Sequence, residues 1–225
     1  MSTTAAQVHH LHDGHAHDPS LQHHFHTREQ QFDTSKIGMW LFLTTEILLF
    51  GGLFVGFALM QQKYPDAFLA AHHHLDRSLG ALNTVVLLIS SFTMVMAVWA
   101  AQTGRKKLLI GLLVATMACA FMFLGVKYFE YSHKFHEGLL PGKFYSHEGD
   151  TVPNQFVFFS FYFMMTGLHG FHILGGIAAI SWLLVRAIRG HFGPGYYTPV
   201  DLVGLYWHLV DVIWIYLFPL LYLIQ

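Results

Sequence analysis

The chain has 225 residues and a formal net charge of −1, and 54% of its residues are hydrophobic whereas only 11% are charged. Soluble domains carry about a quarter charged residues, so this chain lacks the polar surface that a water-soluble fold of its size requires. The near-neutral charge, without a basic stripe, excludes a nucleic-acid-binding protein. The composition predicts an integral membrane protein.

The first 35 residues are polar and contain eight of the 18 His residues, all between His9 and His26. They show no hydrophobic period, and they lack the basic region followed at once by an apolar stretch that marks a secretory signal. We therefore expect a disordered His-rich tail over residues 1–35. Closely spaced imidazoles can recruit zinc or copper, but without cysteine or a fold to fix the geometry such binding would be weak.

Five apolar runs follow, each long enough to supply the about 20 helical residues that cross a hydrocarbon core. They cover residues 37–60, 79–101, 108–131, 154–185 and 202–224. Polar or Gly/Pro-rich connections separate them, including Pro65, residues 72–77, residues 132–153 and residues 190–199. We predict an all-α integral membrane bundle of five transmembrane helices over residues 36–225.

Lys and Arg residues in the short loops predict the orientation of the bundle. With five spans, seven basic residues share one side: Arg28, Lys36, Arg105, Lys106, Lys107, Arg186 and Arg189. The opposite loops mix basic with acidic residues. We therefore expect a cytoplasmic N-terminus, with the His-rich tail on that side, and a C-terminus outside.

Ionisable side chains are costly in hydrocarbon, so each one inside a span is a functional or structural hypothesis. The candidates are Glu46, Lys127, Glu130, His169, His172, His208 and Asp211. Glu46 lies among apolar neighbours, about 14 Å along its helix from Ile37 and so near the midplane. Two interpretations of it stay open: a proton-linked or gating carboxyl that faces another subunit, and a neutral Glu that ties two helices by a hydrogen bond.

Most of these residues form pairs at helical spacing. Residues three apart share one helix face, and three such pairs occur: His169 with His172, His208 with Asp211, and Glu130 with His133. A di-iron carboxylate bundle needs two Glu-x-x-His pairs and two further Glu, and only one such pair is present. Because Glu130 and His208 are expected at opposite depths, we predict two polar layers that join helices, and no intramembrane metal site.

Small residues beside these side chains indicate close helix packing. They are Gly167, Gly170, Gly175 and Gly176 in the fourth span and Gly51, Gly52 and Gly56 in the first. The only cysteine, Cys119, leaves no thiolate pair for a copper or iron–sulfur centre.

Residues 206–214, YWHLVDVIW, are very similar to the YWHFVDVVW signature of subunit III of haem-copper cytochrome c oxidases. Further segments resemble that family in the right order: Glu46 in a Phe/Gly-rich first span, residues 82–84 (LNT), residues 127–131 (KYFEY) and residues 167–172 (GLHGFH) with Gly175. The resemblance covers residues 32–225. Longer family members have two more N-terminal helices, which form one arm of a lipid-holding V, and this chain matches only the five-helix portion.

The resemblance implies a non-redox accessory subunit of the short bacterial form, in the plasma (inner) membrane, which contacts subunit I directly and also accompanies subunit II. Haem and copper would lie in those partners, while this chain would hold neither cofactor nor catalytic centre, and a structural phospholipid could fill its lipid-facing surface. In the family, the residue matching Glu46 is a buried carboxyl, and the subunit supports proton uptake and protects subunit I from turnover damage. Glu46 is therefore expected to tune that uptake.

Two alternatives stay open. Homologous five-helix subunits belong to quinol oxidases or accompany nitric oxide reductase, and the electron donor is decided by subunit II. The His tract and the buried carboxyls would also suit a stand-alone metal or proton transporter. Such a transporter would isolate without haem.

Overall fold

The computed structural model describes residues 25–145 and 152–224. Its helices are α1 (Arg28–Lys63), α2 (Pro65–Ala71), α3 (Arg77–Gln102), α4 (Lys106–His136), α5 (Gln155–Ile188) and α6 (Thr198–Tyr222), with 3-10 turns at His72–His74 and Gly142–Phe144. Five of these helices, α1 and α3 to α6, are long and apolar enough to cross a membrane. No β-strand occurs in the described ranges. The predicted all-α bundle of five membrane helices is confirmed.

The start of α1 differs from the prediction, which placed residues 28–35 in the tail. The helix begins there because Thr27 caps it, accepting a hydrogen bond from the Gln30 backbone N–H at 3.1 Å. Lys36 then forms an ion pair with Asp201 of α6 at 3.3 Å, which anchors the first turns to the bundle. Residues 1–24, which hold most of the predicted disordered tail, lie outside the described residues.

The connection between the first two spans also contains more helix than the prediction assigned to it. Pro65 opens α2, where its fixed φ suits the first helical position and its missing N–H costs nothing. A 3-10 turn at His72–His74 follows, and Asp76 then caps α3 through the backbone N–H groups of Ser78 and Leu79. The polar residues of this segment therefore form helix ends and caps.

The core of the bundle consists of α3, α4, α5 and α6. α3 packs against α4 and α6, α5 also packs against α4 and α6, and α1 lies at the edge against α5 and α6. The buried residues of α1 are Leu43, Phe50 and Phe57, which recur every seven residues. That spacing marks one narrow contact seam, so most of α1 faces away from this chain.

The chain segments that carry the seven basic residues were predicted to lie on the same side of the membrane, and in the structure they lie at the same end of the bundle. The Arg28 guanidinium donates to the Gly195 carbonyl at 3.0 Å, which brings the start of α1 to the α5–α6 loop. Gly104, in the α3–α4 loop, packs against Pro194 of the α5–α6 loop. The chain segments that carry the seven basic residues thus meet at one end, which we call the Lys36 end.

Close packing at glycine is confirmed at only part of the predicted positions. A Cβ at Gly176 would lie 2.5 Å from the Trp207 ring, so α5 and α6 touch here only because Gly176 has no side chain. At Gly51, Gly52 and Gly170 an added Cβ would meet nothing within 4 Å, so the packing prediction was wrong there. The unpredicted close contacts are those of Gly80 with Phe218 and of Gly204 with Val98.

Candidate functional site

Glu46 on α1 faces His172 on α5. The Glu46 Oε2 and His172 Nε2 atoms are 2.8 Å apart, and their side chains are only 15% and 11% exposed. Phe50 packs edge-on against the imidazole at a centroid distance of 5.3 Å. This geometry fits the interpretation of Glu46 as a side chain that ties two helices together, with its partner now identified.

The contacts of His172 indicate how many protons the pair holds. His172 Nδ1 is 2.8 Å from the Leu168 carbonyl oxygen, which can only accept, so Nδ1 carries a hydrogen. Two lone pairs facing each other across 2.8 Å would repel, so the contact between Nε2 and Glu46 holds one further proton. Whether that proton sits on the carboxyl or on the imidazole, the pair as a whole is neutral, which suits a surrounding hydrocarbon.

A second polar group lies at the end of the bundle opposite the Lys36 end. Lys127 Nζ donates to Glu130 Oε2 at 2.8 Å and to the Tyr222 hydroxyl at 2.7 Å. The Tyr222 hydroxyl donates in turn to Glu130 Oε1 at 2.6 Å. All three side chains are buried. We call these residues the C-terminal cluster, because Tyr222 is the last residue of α6.

Aromatic rings and a second buried lysine extend this cluster. Lys127 Nζ lies 4.6 Å from the Trp214 ring centroid, a cation–π distance. The Trp214 indole donates to the Thr84 hydroxyl at 3.0 Å and so joins α6 to α3. Lys134, also buried, donates to the His74 carbonyl at 3.1 Å. The sequence analysis identified Lys127 and Glu130 but missed these partners, because Tyr222 lies 92 residues from Glu130 along the chain.

His208 and Asp211 of α6 face the middle of α3. His208 Nδ1 is 2.7 Å from the Ser91 hydroxyl oxygen. Trp207, the residue before His208, donates from its indole N–H to the Ser90 hydroxyl oxygen at 3.1 Å. Asp211 is buried, and neither carboxyl oxygen has a hydrogen-bond partner within the described part of the chain. Its polar neighbour is the same Ser91 hydroxyl, outside hydrogen-bond geometry. The predicted pair therefore converges on one serine.

His169 and His172 do not share a neighbour, although they share a helix. The ring of His169 is fully buried between Phe123 and Trp214, at centroid distances of 5.5 and 5.3 Å. Neither ring nitrogen has a hydrogen-bond partner among residues 25–145 and 152–224. Three residues fall about 60° short of a full helical turn, and this rotation directs His169 into the core and His172 toward α1.

The polar side chains lie at separate depths, as the prediction of two layers requires. Tyr222, the partner of Glu130, is about 21 Å further along α6 than His208 at 1.5 Å per residue. Glu130 and His133 also separate, because His133 is exposed and contacts Glu137 at 3.0 Å. In the described ranges, no group of three or more His, Cys, Asp or Glu side chains could hold a metal ion. The His tract over residues 9–24 lies outside those ranges.

A groove of about 600 Å³ opens between α4 and α5. Its floor includes Gly167 and Gly170, where the missing side chains leave the space, and its walls include Tyr128, Phe135 and Phe171. Those three aromatic side chains are themselves exposed at the outer surface of the bundle. The groove is therefore a mostly apolar depression on a membrane-facing surface.

The similarity of the chain to known proteins extends over nearly its whole length. The family model described as cytochrome c oxidase subunit III matches residues 16–225. A probable quinol oxidase subunit 3 from Staphylococcus saprophyticus is 30% identical over 197 residues, covering 88% of this chain and 92% of that protein. The protein of the same description from Staphylococcus aureus strain USA300 is 28% identical over 198 residues, with the same coverage.

Proposed function

Because the chain belongs to the cytochrome c oxidase subunit III family, we propose that it is the non-redox accessory subunit of a haem-copper terminal oxidase in aerobic respiration. The observation that carries this proposal is the extent of the match, residues 16–225, which includes all five membrane helices. In this role the chain packs directly against subunit I in the company of subunit II. Haem and copper belong to those partners, and this chain carries no catalytic centre.

The polar contacts inside the bundle support an accessory role. The C-terminal cluster joins α4 to α6, and the Glu46–His172 pair joins α1 to α5. These intramembrane groups therefore hold the helices together. The large apolar side chains of α1 that point outward, such as Trp40, Ile47 and Leu48, are available for subunit I and for lipid.

Removal of the chain from the assembled oxidase tests this role. An oxidase depleted of it should keep its haem spectrum and its initial turnover, because the redox centres stay in place. It should take up protons more slowly and inactivate after fewer turnovers. An oxidase that loses its haem on depletion, or one whose uptake and lifetime do not change, contradicts the accessory role.

The Glu46–His172 pair is the proposed point at which the chain supports proton uptake. Glu46→Gln removes the titratable carboxyl but keeps a side chain of the same size, so the complex should assemble, take up protons more slowly and inactivate sooner. Glu29→Gln, at the exposed start of α1, is the matched control and should behave like the wild type. Unchanged uptake and lifetime in Glu46→Gln would show that the pair serves helix packing alone.

Two electron donors are compatible with this role. The family description favours cytochrome c, whereas the names of the two relatives favour quinol as a second candidate. Oxygen consumption by the purified complex, measured with reduced cytochrome c and separately with a quinol, distinguishes them. Activity with cytochrome c together with a copper signal from subunit II supports the first, and activity with quinol alone supports the second.

A phospholipid acyl chain is the proposed occupant of the α4–α5 groove. The groove has apolar walls and faces the membrane, where acyl chains are the surrounding solvent. Gly170→Phe should fill it, since a Cβ at Gly170 meets nothing within 4 Å and Gly170 lines the groove into which the ring would extend. Native mass spectrometry of the complex should then detect one lipid fewer than in the wild type. An unchanged number of bound lipids contradicts the assignment.

The proposed location is the bacterial plasma membrane, with the Lys36 end in the cytoplasm. The seven basic residues grouped at that end carry this orientation. In a Cys119→Ser background, Thr103→Cys should react with an impermeant thiol reagent only after the membrane is opened. His136→Cys should react in intact spheroplasts, and the reverse pattern would invert the topology.

A further inference from the structure

A narrow groove runs between α3 and α6 from the Lys36 end of the bundle. Its volume is about 280 Å³, and its lining includes Gln102, Asp201, Gly204 and His208. Asp201 marks the polar end of the groove, because its carboxylate pairs with Lys36. His208 lies about 10 Å further along α6 at 1.5 Å per residue. The groove thus leads from the charged end of the bundle to an imidazole inside the membrane span.

The imidazole is the first member of a short polar chain. His208 Nδ1 contacts the Ser91 hydroxyl at 2.7 Å, and either atom can be the donor. Ser91 also neighbours the Asp211 carboxyl. A serine hydroxyl rotates and can donate in one direction while it accepts from another. A small movement of the Ser91 hydroxyl toward Asp211 would therefore complete a sequence from His208 through Ser91 to Asp211 that a proton can follow.

Asp211 needs a small polar ligand that the described residues do not supply. Its side chain is 2% exposed, so a lipid headgroup or a side chain of another subunit cannot reach it without a rearrangement. Both carboxyl oxygens lack a hydrogen-bond partner among the described residues. The Cys119 thiol on α4 is close enough to interact with it electrostatically, and His208 precedes it by three residues on α6, in contact with Ser91. Burying a polar group without a hydrogen-bond partner costs free energy, and water is a molecule small enough to supply that partner.

We propose that the α3–α6 groove, His208 and Ser91 form a hydrated branch through which the buried Asp211 exchanges protons with water at the Lys36 end. A proton from groove water binds His208 Nε2, the Nδ1 proton passes to the Ser91 oxygen, and the Ser91 hydroxyl proton passes to the Asp211 carboxylate. His208 and Ser91 each give up one proton as they gain one, so the net change is one proton moved from groove water to Asp211, with His208 left carrying its hydrogen on Nε2. The reverse sequence releases it.

Infrared spectroscopy of membranes that contain the full-length chain tests the branch. The carbonyl stretch of the Asp211 carboxylic acid is assigned by its loss in Asp211→Asn, and its shift after transfer to D₂O reports proton exchange. Ser91→Ala removes the central hydroxyl, and Val95→Trp covers the groove at an exposed lining position. Ser91→Ala should slow the shift about tenfold, the rate equivalent of one lost hydrogen bond, and Val95→Trp should slow it because groove water no longer reaches His208.

Ser90→Ala is the matched control. Ser90 is the adjacent serine on α3, but its hydroxyl accepts from Trp207 and donates to the Leu87 carbonyl, so it lies off the branch. In the Ser90→Ala variant, the carbonyl band of Asp211 should shift after transfer to D₂O at the wild-type rate. Three results would overturn the proposal: no Asp211 carboxylic-acid band at any pH, no exchange in the wild type, or exchange that Ser91→Ala and Val95→Trp leave unchanged. The test needs no oxidase activity, so its outcome is separate from that of the accessory role.

Discussion

Replacing Lys127 by Met tests the C-terminal cluster, because it removes the buried cation and keeps the volume of the side chain. The variant loses two hydrogen bonds, to Glu130 and Tyr222, and the contact with the Trp214 ring. Removing one partner of a buried ion pair destabilises a protein by about 3–5 kcal/mol, because the other charge stays buried. Since Tyr222 still donates to Glu130, we expect the lower limit, about 3 kcal/mol.

Removing both charges separates the cost of an orphaned charge from the value of the pair. In the double variant Lys127→Met with Glu130→Gln, both charges of the pair are removed together, the Tyr222 hydroxyl still has an acceptor, and Lys134 keeps its hydrogen bond to the His74 carbonyl. Replacing both partners of such a pair is often close to neutral, so we expect the double variant to lie within about 1.5 kcal/mol of the wild type. The double variant should therefore be more stable than Lys127→Met alone.

Titration of the purified chain from mild detergent into SDS, followed by tryptophan fluorescence, measures these free energies of unfolding. His133→Ala is the surface control, because His133 is exposed and its contact with Glu137 should contribute at most about 1 kcal/mol. If Lys127→Met unfolds within about 0.5 kcal/mol of the wild type, the range of ordinary surface substitutions, the cluster does not stabilise the bundle.

Three further predictions follow from the contacts. Gly176→Ala should lower the free energy of unfolding by about 1–3 kcal/mol, because the added Cβ overlaps the Trp207 ring, whereas Gly170→Ala should be neutral or stabilising in the same SDS titration. Burial lowers the pKa of His72 below 6.5. The contribution of His72 to the free energy of unfolding should therefore be complete above pH 6.5 and fall as the pH drops below that value. His72→Gln, measured over the same pH range, should abolish this dependence. Ser90→Ala should cost about 1 kcal/mol, since the buried Trp207 indole loses its acceptor, and an unchanged unfolding midpoint would contradict that bond.

The sign of the His72 effect also has a structural basis. His72 Nδ1 is 2.6 Å from the Leu69 carbonyl oxygen and therefore carries a hydrogen. Its Nε2 atom is 3.0 Å from the Arg77 guanidinium, which can only donate. The imidazole must therefore be neutral in the fold. As the pH falls, His72 is therefore protonated in the unfolded chain before it is protonated in the fold, and the free energy of unfolding decreases.

The architecture could be predicted from the sequence because hydrocarbon imposes a simple rule on length and polarity. Five runs of about 20 apolar residues are visible without any tertiary information. The ends of the helices were less visible. Residues 28–35 are polar, and they become helical because Thr27 caps them and Lys36 pairs with Asp201, a residue in a distant part of the chain.

The polar residues of the site could be identified, but most of their partners could not. A charge inside an apolar run is conspicuous, so Glu46, Lys127 and Asp211 were recognised directly. Their neighbours depend on helix rotation and register, which hydropathy does not encode. His172 lies 126 residues from Glu46 along the chain. The three-residue spacing of His169 and His172 predicted a shared helix face, whereas the structure places them against different helices.

Purification through a tag on this chain in mild detergent tests the central claim most directly. An optical spectrum and identification of the subunits in the eluate are the readouts. The proposed function predicts haem absorption bands and stoichiometric subunit I, with subunit II present. A colourless, stable and solitary protein would contradict it and would direct attention to a transport role for the buried carboxyls.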